Sequence, residues 1–372
     1  MPDTSLDATF FAAPGYFVMP GRAGHFDTLT RREIAGQRLL LAQTDAMLRA
    51  RIDAMLYANS VPAPLAQVNR LVLLGDLSSL NAVATARSWI EQLAHLPCDV
   101  EQAGAWRHRT APLSPGSVGV LVSAAGEGED ILAALALLQS RGLPAIAITA
   151  AHHSALAGMA ELLWPTAAHE EKGSTATGSF TTTLMALVRL GLAIGLMRGQ
   201  VDEVTAGRVA QQLADAGIAC ALTEAAEARC AAIGCRLARA GEAWFGGRHW
   251  CASMAAEGAL NLRDLSSIPA ETQTGDALRH APVRPGVPIV MCAAADAQVA
   301  QAVADARSVR ARGDHVTVLT DAGSAAAFHD AANETLALPG RGIAHAFAQA
   351  VALQLIAYHA AMALGHNLDR VV

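Results

Sequence analysis

The chain reads as an α/β protein of two tandem doubly wound parallel-sheet lobes behind an N-terminal helical segment. Three observations carry that reading. Short, nearly continuous apolar runs (RLVLLG, SVGVLV, LPAIAIT) are each joined by a turn to an amphipathic helical stretch, the layout of strands buried on both faces of a parallel sheet. The stretch 119–151 finds a partner in 288–322, with matched strand, small-residue turn, helix, Arg-Gly and second strand. The units before them also correspond, RLVLLGDLSSLNAVATA to AWFGGRHWCASMAAEGA, so the chain reads as duplicated.

Taken in order, residues 1–59 form a tail and a helical segment. Within it, Thr28 to Ala58 has helical periodicity with charged positions and no strand-like alternation, and reads as a helical pair. Residues 60–200 make the first lobe, an Ala-rich stretch over 201–225 is a helical linker, and 226–372 make the second lobe. With 372 residues and 52% hydrophobic content, the chain has material for two cores of ordinary size.

Bulk chemistry excludes several classes of function. The formal charge of -6 and the near absence of lysine leave no basic face for a nucleic-acid backbone or an anionic membrane. Of the six cysteines only Cys230 and Cys235 lie close in sequence, in a helical stretch with no second pair nearby. They read as reduced thiols of a cytoplasmic protein, and no metal or cofactor is expected. The N-terminal stretch is acidic and broken by Pro and Gly, unlike a signal peptide. The apolar run Leu184 to Met197 is interrupted by Arg189 and reads as a buried helix, so no membrane span is expected.

Doubly wound sheets bind ligands beyond the carboxyl ends of their strands, where helix N-termini offer backbone N–H groups to anions. Three polar turns fall there. Ser78 and Ser79 follow the first strand, Ser123, Gly126 and Gly128 follow a later one, and the hydroxyl-rich 169–183 leads into the helix starting near Phe180. Ser and Thr at helix starts are also ordinary caps. Three such turns in one lobe point to a binding site as well, and hydroxyls without lysine suit a phosphate held by hydrogen bonds.

These segments resemble the double-SIS (sugar isomerase) family, in particular the isomerase half of glucosamine-6-phosphate synthase and related deaminases, ketose/aldose isomerases and deglycases. The resemblance runs from about Thr28 onward, on LNAVATARSWIEQLAHLPCDVEQAGAWRHR, GEGEDILAALALLQSRG, EEKGSTATGSFTTTLMAL, AAEGALNLRDLSSIPAE with LRHAP, and LQLIAYHAAMALGHNLD. It implies two flavodoxin-like SIS domains and aldose/ketose isomerisation, deamination or deglycation of a phosphosugar. The glutaminase domain of the synthase is absent from this sequence, so no ammonia from glutamine is expected.

Residue by residue, the resemblance makes Ser78 and Ser79 phosphate-turn hydroxyls. The family's Ser-Gln-Ser-Gly-Glu-Thr keeps Ser123, Gly126 and Glu127, whereas Ala124, Ala125 and Gly128 replace the Gln, the second Ser and the Thr. The family's Ala-Ser-Thr-Lys-Ala-Phe becomes Thr175, Ala176, Thr177, Gly178, Ser179 and Phe180, with Glu171 upstream; Thr175 and Thr177 stand as substrate-binding hydroxyls. Asp264 stands at the proton-shuttle Glu, His280 at the ring-opening His, and Glu257 at the Glu of Glu-Gly-Ala. Asn261 replaces the Schiff-base Lys, which excludes imine chemistry there, and the closing tail is expected to be short or missing.

Read from the residues, Asp264 and His280 make an acid/base pair: a carboxylate moves a proton between C1 and C2, and an imidazole passes one during ring opening. A solvated helix charge beside Arg263 is the other reading of Asp264. Two functions follow: a phosphosugar or amino-sugar-phosphate isomerase/deaminase-type enzyme, or a catalytically degenerate sugar-binding sensor or subunit. The expected partner is a small sugar or sugar phosphate. The resemblance further implies a homodimer in which His280, on the long connection before the strand near Val287, enters the neighbour's pocket.

Overall fold

The structure is a computed structural model, and it describes residues 28–58, 62–110, 112–168 and 171–369. The first lobe contains β1 (Arg70–Gly75), β2 (Cys98–Gln102), β3 (Ser117–Val122), β4 (Ala145–Thr149) and β5 (Leu162–Pro165). The second contains β6 (Ala243–Gly247), β7 (Ala270–Thr274), β8 (Ile289–Cys292), β9 (Val316–Asp321) and β10 (Glu334–Leu338). Their orders are β2-β1-β3-β4-β5 and, read from the other edge, β7-β6-β8-β9-β10, with every pairing parallel. Counted within each lobe the order is 2-1-3-4-5 in both, so the internal repeat of the sequence is a repeat of topology.

The central strands are apolar throughout because both faces are covered: Leu71, Val72, Leu73 and Leu74 of β1 are all fully buried. The principal helices are α1 (Leu29–Tyr57), α2 (Ser78–Ala94), α3 (Glu129–Ser140), α4 (Gly178–Met197), α5 (Glu203–Ala219), α6 (Glu224–Ala240), α7 (Trp250–Ser266), α8 (Val299–Ala311) and α9 (Ile343–Ala363). Helices α2 and α7 hold the lobes together. They pack on each other, with the rings of Trp89 and Trp250 tilted at 48° and 5.4 Å apart.

One continuous helix, α1, stands where the sequence suggested a helical pair. The polar residues that interrupt its apolar stripe face inward and have partners there. Gln37 Nε2 donates to Gln354 Oε1 at 2.6 Å and Gln37 Oε1 accepts from Thr181 Oγ1 at 2.8 Å. Thr44 Oγ1 accepts from the Ala167 N–H, and Asp45 pairs with the buried Arg189 at 2.5 Å. The segment expected as a linker includes α5, which packs on α1 and α9, while α6 packs on α9.

Among the described residues, helices α4 and α9 are long and apolar enough to cross a membrane, and the most apolar windows of the two are 89% and 83% buried within the fold. All six cysteines are free thiols. Burial pushes Cys98, Cys220, Cys230 and Cys292 up to about 12.

Candidate functional site

In the first sheet the chain leaves β1 toward the edge strand β2 and leaves β3 toward β4, so the turns after β1 and β3 diverge and open a crevice. A pocket of about 680 Å³ occupies it. Leu77 and Ser78 come from the first turn, Ala124 and Ala125 from the second, Ala150 and Ala151 from the turn after β4. Glu171, Ser174, Thr175 and Ser179 come from the approach to α4, and the second lobe closes the wall with Leu260 and Asp264 of α7. The pocket is therefore built by both lobes.

The first turn is tight. Leu77 immediately precedes α2 with φ 49° and ψ -121°, and His249 precedes α7 with φ 55° and ψ -136°. A non-glycine residue in such a conformation is strained and persists only where its surroundings hold it. That strain is repeated at equivalent points of the two lobes, and Leu77 is left 72% exposed at the pocket wall.

Glu257 lies beneath this turn, fully buried, and links the lobes. Its Oε1 accepts from Ser78 Oγ at 2.6 Å and its Oε2 from Asn81 Nδ2 at 2.8 Å. Burial pushes its carboxyl up to about 7 despite those two donors. Asp264, on the same helix two turns later, reaches the pocket itself. Burial holds its carboxyl above the usual aspartate range, while Thr175 Oγ1 at 3.5 Å and the Arg263 charge act in the other direction. A carboxyl raised in this way sits closer to the pH at which it can both take and return a proton.

The third turn is organised by Glu171. Its Oε1 accepts from Thr177 N at 2.9 Å, Thr177 Oγ1 at 2.6 Å and Ser179 N at 3.2 Å, and its Oε2 accepts from Ser179 Oγ. Glu33 of α1 braces the same turn from outside, accepting from Lys172 N at 2.7 Å and Gly173 N at 3.2 Å. Thr175 Oγ1 donates to Asn261 Oδ1 at 2.8 Å, so the hydroxyl and the buried amide close the wall behind Asp264.

Of the residues singled out in the sequence, Ser78, Glu171, Thr175 and Asp264 meet in this pocket. Ser79, Ser123 and Gly128 line a second cavity of about 280 Å³ on the other side of the same turns, together with Asp76, Glu129 and Asp130. Gly126 shapes the second turn: at φ 67° a Cβ there would stand 2.1 Å from Ser154 Oγ. Glu127 is turned away to accept the Ala155 N–H at 2.8 Å, and Thr177 is fully buried on Glu171. Neither lines the pocket. His280 ends a short helix, Ala277–His280, is exposed, and lies outside the pocket of its own chain.

Sequence reasoning did not single out Leu77, Asp76, Asn81 or Glu33. Asn81 carried a signal, since it falls one helical turn after Ser78 and so shares its face. Leu77 carried none, because nothing in a leucine announces a positive φ.

The SIS domain model matches residues 64–193. Glutamine-fructose-6-phosphate aminotransferase (isomerizing) of Xylella fastidiosa (strain 9a5c) is 32% identical over 358 residues, covering 93% of this chain and 58% of that protein. The enzyme of the same name from Brucella abortus biovar 1 (strain 9-941) is 30% identical over 308 residues, covering 82% of this chain and 51% of that protein. The chain thus spans about half the length of the curated relatives it matches. Among solved structures, the C-terminal domain of glucosamine-fructose-6-phosphate aminotransferase from Francisella tularensis superposes with a TM-score of 0.87 at 24% identity, covering 93% of this chain and 99% of that one. Tagatose-6-phosphate ketose/aldose isomerase from Escherichia coli gives 0.73 at 16% identity, with 92% and 95% covered. The chain thus carries a SIS domain and has the fold of two such domains in tandem, resembling the C-terminal domain of these aminotransferases.

Proposed function

We propose that this chain is an isomerase- or deaminase-type enzyme that moves a proton between C1 and C2 of an open-chain sugar, with Asp264 as the shuttle. The observation that supports this most is the carboxylate itself: one acid of raised pKa, delivered by the second lobe onto the wall of a pocket made by the first. The C2–H bond of the aldose breaks, the proton passes to the Asp264 carboxylate, the electron pair forms the C1–C2 double bond, and the carbonyl π pair moves onto O1, which takes up a proton. Return of the Asp264 proton to C1, with O2 giving up its proton as the C2 carbonyl forms, completes the isomerisation. Ser78, Thr175 and Ser174 line the same wall and can orient the hydroxyls of the chain. The relatives' names, fructose-6-phosphate and tagatose-6-phosphate, point to a hexose skeleton.

A binding-only reading draws on Asn261, fully buried where the resemblance places a lysine. The experiment that separates the two is NMR in D₂O with a panel of aldoses, ketoses, amino sugars and their 6-phosphates. An enzyme incorporates deuterium at C2 of at least one ligand that stabilises the protein; a binder stabilised by a ligand it never exchanges contradicts the proposal.

A further inference from the structure

We propose that Asn261 is a positioning residue for Asp264. By taking the proton of the Thr175 hydroxyl, its amide oxygen withholds from Asp264 the hydroxyl in reach of it among the described residues, and leaves the carboxylate free for the ligand. This rests on the reading of Asp264 as the proton shuttle and deepens it.

Thr175 Oγ1 stands between two acceptors, Asn261 Oδ1 at 2.8 Å and Asp264 Oδ2 at 3.5 Å. A hydroxyl has one proton to give, and the shorter contact takes it, since 3.5 Å is long for an O–H···O bond. The fold places all three residues. Asn261 and Asp264 stand one helical turn apart on α7 and share a face, while Thr175 reaches them from the approach to α4 in the other lobe. Thr175 and Asn261 are also positions where the resemblance has alanine and lysine, so the hydroxyl and its acceptor depart from that pattern together.

Stability alone does not explain the amide. Asn261 is fully buried, and its Nδ2 has no hydrogen-bond partner among the described residues, an arrangement that destabilises a fold. What the side chain does accomplish is to hold a hydroxyl proton away from the carboxylate one turn along. A carboxylate that accepts no such proton is the stronger base. Among the described residues, the other charged groups around Asp264 are Arg263 beside it, Glu257 two turns earlier on α7 and Glu171 on the same pocket wall, with His366 held on the Leu265 carbonyl at 3.1 Å. None of these changes in the variants below.

The test reads the carboxyl itself, by ¹³Cγ-aspartate NMR across pH with Asp264 assigned through its loss in Asp264→Asn, alongside C2 exchange in D₂O. In Asn261→Leu the Thr175 proton turns to Asp264. The titration then moves down by about one pH unit, the effect of one hydrogen bond to a charged group, and exchange slows roughly threefold or more. Asn261→Ala gives the same shift without filling the space. Thr175→Val has no proton to redirect, so adding Asn261→Leu to it leaves the titration where Thr175→Val alone has it. An unchanged titration in Asn261→Leu overturns the inference, and it is what an amide turned the other way would give, donating to Thr175 and sending the hydroxyl proton to Asp264 already. The same shift in the Thr175→Val background overturns it as well, as does a loss of thermal stability with no shift. The shuttle reading fails separately: wild type that binds a sugar without exchanging C2 sinks that reading while a shifted titration upholds the positioning, and exchange with no shift does the reverse.

Discussion

Glu257 and Asp264 stand two helical turns apart on α7, and their surroundings give them different work. Glu257 never meets the pocket; it holds Ser78 and Asn81 across the lobe interface, fully buried. Its pKa rises from an ordinary 4.5 to about 7, chiefly through burial. A carboxyl raised on folding stabilises the fold fully below its unfolded pKa, and that contribution is lost as pH climbs through the folded value. Relative to Glu257→Gln, the wild type therefore loses roughly 2 kcal/mol of unfolding free energy between about pH 5 and pH 8. Glutamine keeps the acceptor for Ser78, and Asn81 can rotate to accept from the new amide. Denaturant titrations across that range check it, and a pH-independent difference between the two proteins contradicts it. At this scale type and spacing drew attention to both acids in the sequence, and the structure puts only Asp264 on the pocket wall. It did not reveal which hydroxyls were already spent, because Thr177 and Ser179 meet Glu171 only through the backbone path of a turn with no periodic signal.

Among the elements, α1 was the one the sequence divided wrongly. A helix facing solvent on one side announces itself by a clean apolar stripe. Here Gln37, Thr44 and Asp45 interrupt the stripe from the inside, each for a partner on another element that lies more than a hundred residues away in the chain. The strands were legible because burial on both faces leaves no room for polar residues, and the turns because glycine and serine mark them. The Asp45–Arg189 pair makes a quantitative case. Arg189 is 3% exposed, so Asp45→Ala leaves a guanidinium uncompensated in the core and destabilises by about 3 kcal/mol. Asp45→Leu combined with Arg189→Met restores most of that loss, because an apolar pair of similar volume has no charge to desolvate. Equal thermal stability of Asp45→Ala and wild type contradicts the assignment.

Across the whole molecule, duplication explains why one pocket needs both lobes. Each lobe opens with a strand, a strained turn and a helix, and α2 and α7 cross so that the second lobe's helix walls the first lobe's crevice. The repeat was readable in the sequence; the crossing was not, since it depends on packing between helices about 170 residues apart. We propose that His280, exposed at the end of its short helix and outside its own pocket, is supplied to a second copy. An isologous dimer is therefore expected. Asp264→Asn and His280→Ala, each inactive alone, regain activity when unfolded and refolded together, because a mixed dimer holds one intact site. No recovery, or a monomer in light scattering, contradicts it.

The proposed function stands or falls with Asp264 carrying the proton between C1 and C2. The most direct measurement compares wild type and Asp264→Asn at saturating sugar in D₂O, following loss of the C2 hydrogen by NMR while calorimetry reports affinity. Exchange is expected to fall by at least about a hundredfold in the variant, the scale typical of losing a positioned acid/base, with binding nearly unchanged. Exchange that continues at the wild-type rate in Asp264→Asn would contradict it.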